Sequence, residues 1–166
     1  MNEAHWHLIV NHLPIIFPIV GVLVMSIGLI FKSDAVIRTA FLIFIIGSVT
    51  SFAAMATGEG AEEVVEKLNG VSENYIERHQ EVAKIFAILS YILGGISLLG
   101  LWASFKQKTL SYLISIAALV FAFVVLFFAK QTGTTGGEIR HTEIRVDNNV
   151  LPAIQNENQT EEEDDD

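Results

Sequence analysis

Four stretches of this chain are nearly unbroken runs of apolar residues, and the polar residues collect between them. The runs cover residues 8–31, 35–57, 83–105 and 109–129. Each is close to the length of about 20 residues that a helix needs to cross the hydrocarbon of a bilayer. Inside lipid every backbone polar group needs a partner within its own segment, so the runs predict α-helices. Lys32-Ser33-Asp34 joins the first two and Lys106-Gln107-Lys108 the last two. Connections this short force antiparallel neighbours. The expected fold is an all-α membrane protein, an up-down-up-down bundle of four transmembrane helices.

The middle connection, 58–82, is longer. Ala61 to Leu68 predicts a short amphipathic helix, and Asn69-Gly70 a C-terminal stop. Ser72 reads as an N-cap, with Glu73 and Glu77 in the early turns of a helix that begins about two turns before the third span. After Ala129 the texture changes: Gln131 to Gly137 reads as a polar turn. From Val146 onward the composition is that of a disordered acidic tail. The domain division is therefore a four-span unit over 1–145 and a tail over 146–166.

Charge refines this picture. The chain carries 19 Asp and Glu against 10 Lys and Arg, a net charge of -9, with much of the excess in the run Glu161 to Asp166. Such a balance argues against nucleic acid, whose phosphates require a basic face. The absence of cysteine excludes disulfides, thioether-attached haem and thiolate metal sites. Met1 to Ala4 has no Lys or Arg, so the first run is expected to be a retained span and not a cleaved signal. The two short turns hold Lys32, Arg38, Lys106 and Lys108 with only Asp34 opposing. Basic short loops stay cytoplasmic, so both termini are expected on the outer, periplasmic side of a bacterial inner membrane.

All five histidines, His5, His7, His12, His79 and His141, fall at that outer end. His12 lies at membrane depth, where an imidazole needs a partner, and it shares a helical stripe with Ile16, Ile19 and Ser26. Pro14 and Pro18 are expected to shape the backbone around it. His79 shares a stripe with Ala83, Phe86, Ser90 and Ser97, a face whose small polar groups predict that it looks inward. Imidazoles on facing helices are the usual means by which such bundles hold haem or metals. His12 and His79 form the leading ligand pair, with His7 and His141 as alternative or additional ligands. The plain alternative is that His12 and Asn11 hydrogen-bond to a neighbouring helix. Glu59, Glu62 and Glu63 follow the second span; Glu59 or Glu62 would orient a ligand histidine through its second ring nitrogen, unless they are simply a solvated loop. Gly21, Gly28, Gly47, Gly94, Gly95 and Gly100 predict close helix contacts. No nucleophile–base arrangement, phosphate loop or His-Glu-x-x-His helix is present, so the sequence makes little case for an enzyme.

The stretch Trp6-His7-Leu8-Ile9-Val10-Asn11-His12-Leu13-Pro14-Ile15 resembles the opening His-Pro-x-x-Val-His-Phe-Pro pattern of a bacterial membrane-protein family filed as domain of unknown function 2231. Thr57-Gly58-Glu59-Gly60-Ala61-Glu62-Glu63, then Glu77-Arg78-His79-Gln80-Glu81, resemble its loop and third-span entry. Gly136-Gly137-Glu138-Ile139-Arg140-His141 resembles its closing motif. Leu8 stands where the family has its first proline and Leu13 replaces its phenylalanine; neither change removes a histidine. The resemblance implies four spans, histidine-bearing periplasmic ends and a redox setting, with cytochrome c or another membrane redox protein as partner. Three functions stay open on these grounds: a b-type haem protein, a cofactor-free accessory subunit of a membrane complex, and a copper- or zinc-binding membrane protein.

Overall fold

The computed structural model of the chain describes residues 3–67 and 71–145. The Asn69-Gly70 stop and the acidic tail lie outside the described residues. Five helices run in order: α1 (Glu3–Val10), α2 (Leu13–Ile30), α3 (Asp34–Val65), α4 (Glu73–Lys106) and α5 (Lys108–Arg140), followed by a single 3-10 turn at Thr142–Ile144. Among the described residues there is no strand. Four helical stretches, with α1 and α2 counted as one, are long and apolar enough to cross a membrane.

The first run breaks at Asn11-His12. Pro14 has no N–H to give to the carbonyl one turn back, and its ring crowds that carbonyl, so the helix stops and restarts. Pro14 then sits within the first turn of α2, where a missing N–H costs nothing. At the other end of α2, Lys32 takes a left-handed conformation (φ 49) and Ser33 N–H returns to the Gly28 carbonyl at 3.0 Å. That six-to-one bond closes the helix as a glycine normally would.

Two sequence expectations are corrected. The separate amphipathic helix is absent: Ala61 to Val65 continues α3. Gly58 and Gly60 still carry their N–H groups, so the ladder runs through them at a cost of about 1 kcal/mol each relative to alanine. The polar turn over 131–137 is also helical, since α5 runs on to Arg140. There the Thr132 and Thr135 hydroxyls fold back on the Phe128 and Gln131 carbonyls at 2.9 and 3.0 Å. The buried Glu138 carboxylate pairs with Arg78 of α4 at 3.4 Å. Glycine permits a turn but does not force one, and tertiary partners decide. Ser72 is the N-cap residue of α4 by position, in extended backbone conformation, without a side-chain cap bond.

Each long helix packs against two others in the ring α2–α3–α4–α5, and α1 packs on α3. Glycines set the spacing. A Cβ on Gly21 would lie 2.4 Å from the Phe44 ring, and one on Gly100 would lie 2.2 Å from the Phe41 ring. Both phenylalanines are almost wholly buried. Ser48 likewise fills the notch at Gly94. Gly95 differs from the expectation, with nothing within 4 Å of a Cβ placed there. The interior holds Ser51, Ser90, Ser97, Ser104, Ser111 and Ser115 among its apolar residues, while Phe52, Leu99, Trp102 and Val120 are exposed. The outer surface is thus broadly apolar, while the interior carries serines among its apolar residues.

At one end Arg38 of α3 donates from Nε to Ser104 Oγ (3.0 Å) and from its terminal nitrogen to the Ser104 carbonyl (2.8 Å), with its guanidinium 4.2 Å above the Phe105 ring. Lys108 pairs with Asp34 there at 2.6 Å. Arg38 and Lys108 thus tie the helix ends together at the end away from the anchored histidines.

Gly100→Ala is expected to destabilise the protein by about 1–3 kcal/mol, because Phe41 has nowhere to retreat. Gly95→Ala should leave stability unchanged or raise it. Thermal or denaturant midpoints of the two variants in the same detergent decide the point.

Candidate functional site

At the far end from Arg38, two histidines are held in the same way by two helix pairs. His7 of α1 donates from Nδ1 to the Ala54 carbonyl and to Thr57 Oγ1 of α3, both at 3.1 Å. His79 of α4 meets Thr135 Oγ1 of α5 through Nδ1 at 3.1 Å, and the Thr132 carbonyl accepts from the same ring. In each case the carbonyl belongs to the residue three before the threonine. A glycine follows each threonine and leaves room for the ring: Cβ atoms on Gly58 and Gly136 would lie 4.0 and 3.0 Å from Cε1 of His7 and His79.

The partners fix the tautomer. At His7 the carbonyl of Ala54 can only accept, so Nδ1 must carry the proton. The threonines agree, because each spends its own proton elsewhere. Thr57 donates to the Ala53 and Ala54 carbonyls at 3.1 Å, and Thr135 to the Gln131 and Thr132 carbonyls at 3.0 and 3.2 Å. Both neutral rings are therefore Nδ1–H tautomers, and each presents an Nε2 lone pair that these bonds leave unspent. This is the form in which imidazole ligates, with the second nitrogen anchored to an oxygen. Both side chains are half-buried, and His79 lies within electrostatic range of His7.

The histidines singled out by sequence separate into different environments. His12, from the leading pair, is exposed at the break between α1 and α2, and its stripe partners Ile16 and Ile19 are exposed with it. The break decides this, because it turns α2 so that Pro14, Pro18 and Gly21 face inward instead. His141 is exposed beyond α5 and bonds Glu143 Oε1 at 2.9 Å. The Glu143 carboxyl is held below its usual range, first by its own backbone N–H and then by His141. The His79 stripe does look inward, with Phe86, Ser90 and Ser97 all buried.

The acidic residues expected to orient a ligand histidine do other work. Glu59 is exposed, while Glu62 accepts from Gln80 of α4 and ties the two helices together. Glu138, half a turn past Thr135-Gly136, takes Arg78; its backbone carbonyl accepts from Arg145 at 2.7 Å, whose guanidinium lies 4.1 Å above Tyr75. Thr57 and Thr135 were the residues sequence reasoning missed. The signal was there: Thr-Gly pairs stand near the end of the second helix in each half, Thr57-Gly58 in the first and Thr132-Gly133 with Thr135-Gly136 in the second, the anchoring threonines falling 50 residues after His7 and 56 after His79. Among the described residues no three His, Cys, Asp or Glu side chains converge.

No family model, curated protein or solved structure matches this chain. The class is set by the molecule itself: an all-helical protein with four helices long and apolar enough to cross a membrane. It carries two threonine-anchored imidazoles at one end.

Replacing Thr135 with Val keeps the shape but removes an acceptor, and should lower stability by about 1 kcal/mol. In nitrogen-15 NMR of the imidazole side chains, His7 and His79 of the wild type should both show the Nδ1–H tautomer. Thr135→Val should disturb His79 alone. An Nε2–H signal for His79 in the wild type would remove the basis for the assignment.

Proposed function

We propose that this chain is a four-span protein of a bacterial inner membrane that holds a metal centre through Nε2 of His7 and His79. The observation that carries the reading is the pair of anchored rings, each with Nδ1 spent on protein oxygens. Insertion is supported by the apolar outer surface around a serine- and glycine-bearing interior, the arrangement expected when the solvent is lipid. Helices α3, α4 and α5, of 32, 34 and 33 residues, reach about 50 Å at ~1.5 Å per residue. That exceeds the roughly 30 Å of hydrocarbon. With the short basic turns at the cytoplasmic face, an up-down-up-down path leaves the excess length, and His79 with it, on the outer side.

The shared chemistry is ligation by neutral imidazole, which suits b-type haem iron and a free copper or zinc ion alike. A b-type haem would be held by two imidazoles, and His7 and His79 would supply them. Either centre would sit at the periplasmic end, within reach of a soluble redox partner such as a cytochrome c. Similarity to the domain of unknown function 2231 family, on the motifs around His7, His79 and Gly136, agrees with this placement.

Purification in detergent after haem- and metal-replete expression, with optical spectra of oxidised and reduced protein and metal analysis of the same sample, tests the reading. A haem spectrum or a stoichiometric metal that is lost in His7→Ala and in His79→Ala, but kept in His12→Ala, is the expected result. A colourless, metal-free protein would overturn it. Orientation is checked separately with a reporter joined after Asp166, which should be active only if delivered to the periplasm.

A further inference from the structure

Beyond Arg140 the chain leaves α5 as a short strap, His141–Arg145, which contains the 3-10 turn. Its last residue reaches back to the helix. Arg145 donates from Nε to the Glu138 carbonyl at 2.7 Å and from a terminal nitrogen to the Ile139 carbonyl at 3.0 Å. Those carbonyls belong to the last turn of α5, where no helical N–H answers them, and a cation there also suits the helix dipole. Capping alone would need no second helix. Yet the same guanidinium lies 4.1 Å above the Tyr75 ring of α4. The strap therefore crosses the seam between α4 and α5.

The pairs across that seam say where the crossing falls. His79 meets Thr135 at 3.1 Å, and Arg78 meets Glu138 at 3.4 Å. Toward the mouth of the seam, numbers fall along α4 and rise along α5. Tyr75 precedes His79 by one turn on the same face of α4. Glu138 and Ile139 follow Thr135 by about one turn of α5. The Arg145 bridge thus spans the seam one turn nearer the mouth than the His79 ring. Helix side chains lean toward the N-terminus, which on α4 is the direction of the mouth, so the ring leans toward the bridge.

The strap is built to move apart from the helices. His141, Thr142, Glu143 and Ile144 are exposed, so burial does little to hold them. The bond from His141 to Glu143 at 2.9 Å joins the strap to itself. Ile144 rests on α5 beside Gly137, its Cδ1 3.2 Å from where a Cβ would stand. Beneath it the helices keep ties that do not use Arg145: Arg78 to Glu138 and His79 to Thr135.

Building on the reading of His79 as a ligand residue, we propose that the strap His141–Arg145 is a lid on the seam that holds this histidine, closed by Arg145 on Tyr75 and lifted to admit a metal ion to the ring. The lid gives His79 a controlled entrance at the end of the bundle while α4 and α5 stay packed.

The test is the rate at which diethyl pyrocarbonate modifies each imidazole of the full-length, metal-free protein in detergent, read by peptide mass spectrometry at low extents of reaction. A minor open state is populated at roughly 10 % or less, so Arg145→Ala and Tyr75→Leu should each speed reaction at His79 about tenfold or more. His7 and the exposed His12 should react as in wild type. Tyr75→Leu leaves both carbonyl bonds of Arg145 in place, which separates opening of the lid from fraying of α5. Nitrogen-15 shifts of the His79 ring should match wild type in both variants. An unchanged His79 rate in either variant would overturn the lid. So would a faster rate accompanied by altered His79 shifts, which would make the strap a clamp on the end of α5. Because no metal enters these measurements, a colourless, metal-free preparation would sink the metal centre and leave the lid standing.

Discussion

Phe41 and Phe44 of α3 occupy the places where α4 and α2 have no side chain, and the rest of the structure depends on that fit. Each ring lies closer to a glycine of its neighbour than any Cβ would allow, so the helices approach to a distance fixed by backbone and not by rotamers. Dispersion across such a contact is gained only while both surfaces stay matched. Because α3 is locked to α2 on one side and α4 on the other, its far end arrives in a fixed register. Thr57 then comes under His7. Between α4 and α5 it is the His79 ring that sits against a glycine, Gly136, beside Thr135.

The two ends of the protein are built on different electrostatics. Where the short turns lie, charges pair with one another and with helix carbonyls: Lys108 with Asp34, and Arg38 with the last turn of α4. A cation near the C-terminus of a helix also answers the helix dipole. At the other end His7 and His79 are anchored by neutral oxygens, which orient them without adding charge. Anchoring by threonine in place of carboxylate has a chemical consequence. It adds no negative charge beside the ring, whereas a carboxylate partner would pull a proton onto it.

Glu138 and Gln80 show how the helix extensions are held without a large apolar core. Beyond the long apolar runs, hydrophobic burial thins out and polar ties take over: Arg78 to Glu138, Gln80 to Glu62, and Arg145 folding back over Tyr75. Each is worth little alone, on the order of 1 kcal/mol when partly exposed. Together they link α3, α4 and α5 around the rings, which keeps the threonine acceptors in place.

The sequence by itself determined the four apolar helices, the two short turns, the N-cap position at Ser72 and the inward face of the third run. These are local matters: run length, a three-residue gap, and the 3.6-residue repeat that sets His79 in line with Phe86, Ser90 and Ser97. What only the tertiary structure decided is which histidine of the first run is held against a neighbouring helix. The repeat says which residues share a face but not where that face points, and a two-residue break ahead of Pro14 is enough to turn His12 outward and leave His7 inward. The helical state of 131–137 was decided in the same way. A Gly- and Thr-rich stretch is compatible with turn or helix, and the balance was struck by Arg78, His79 and Ile15, side chains distant in sequence that reward the helix.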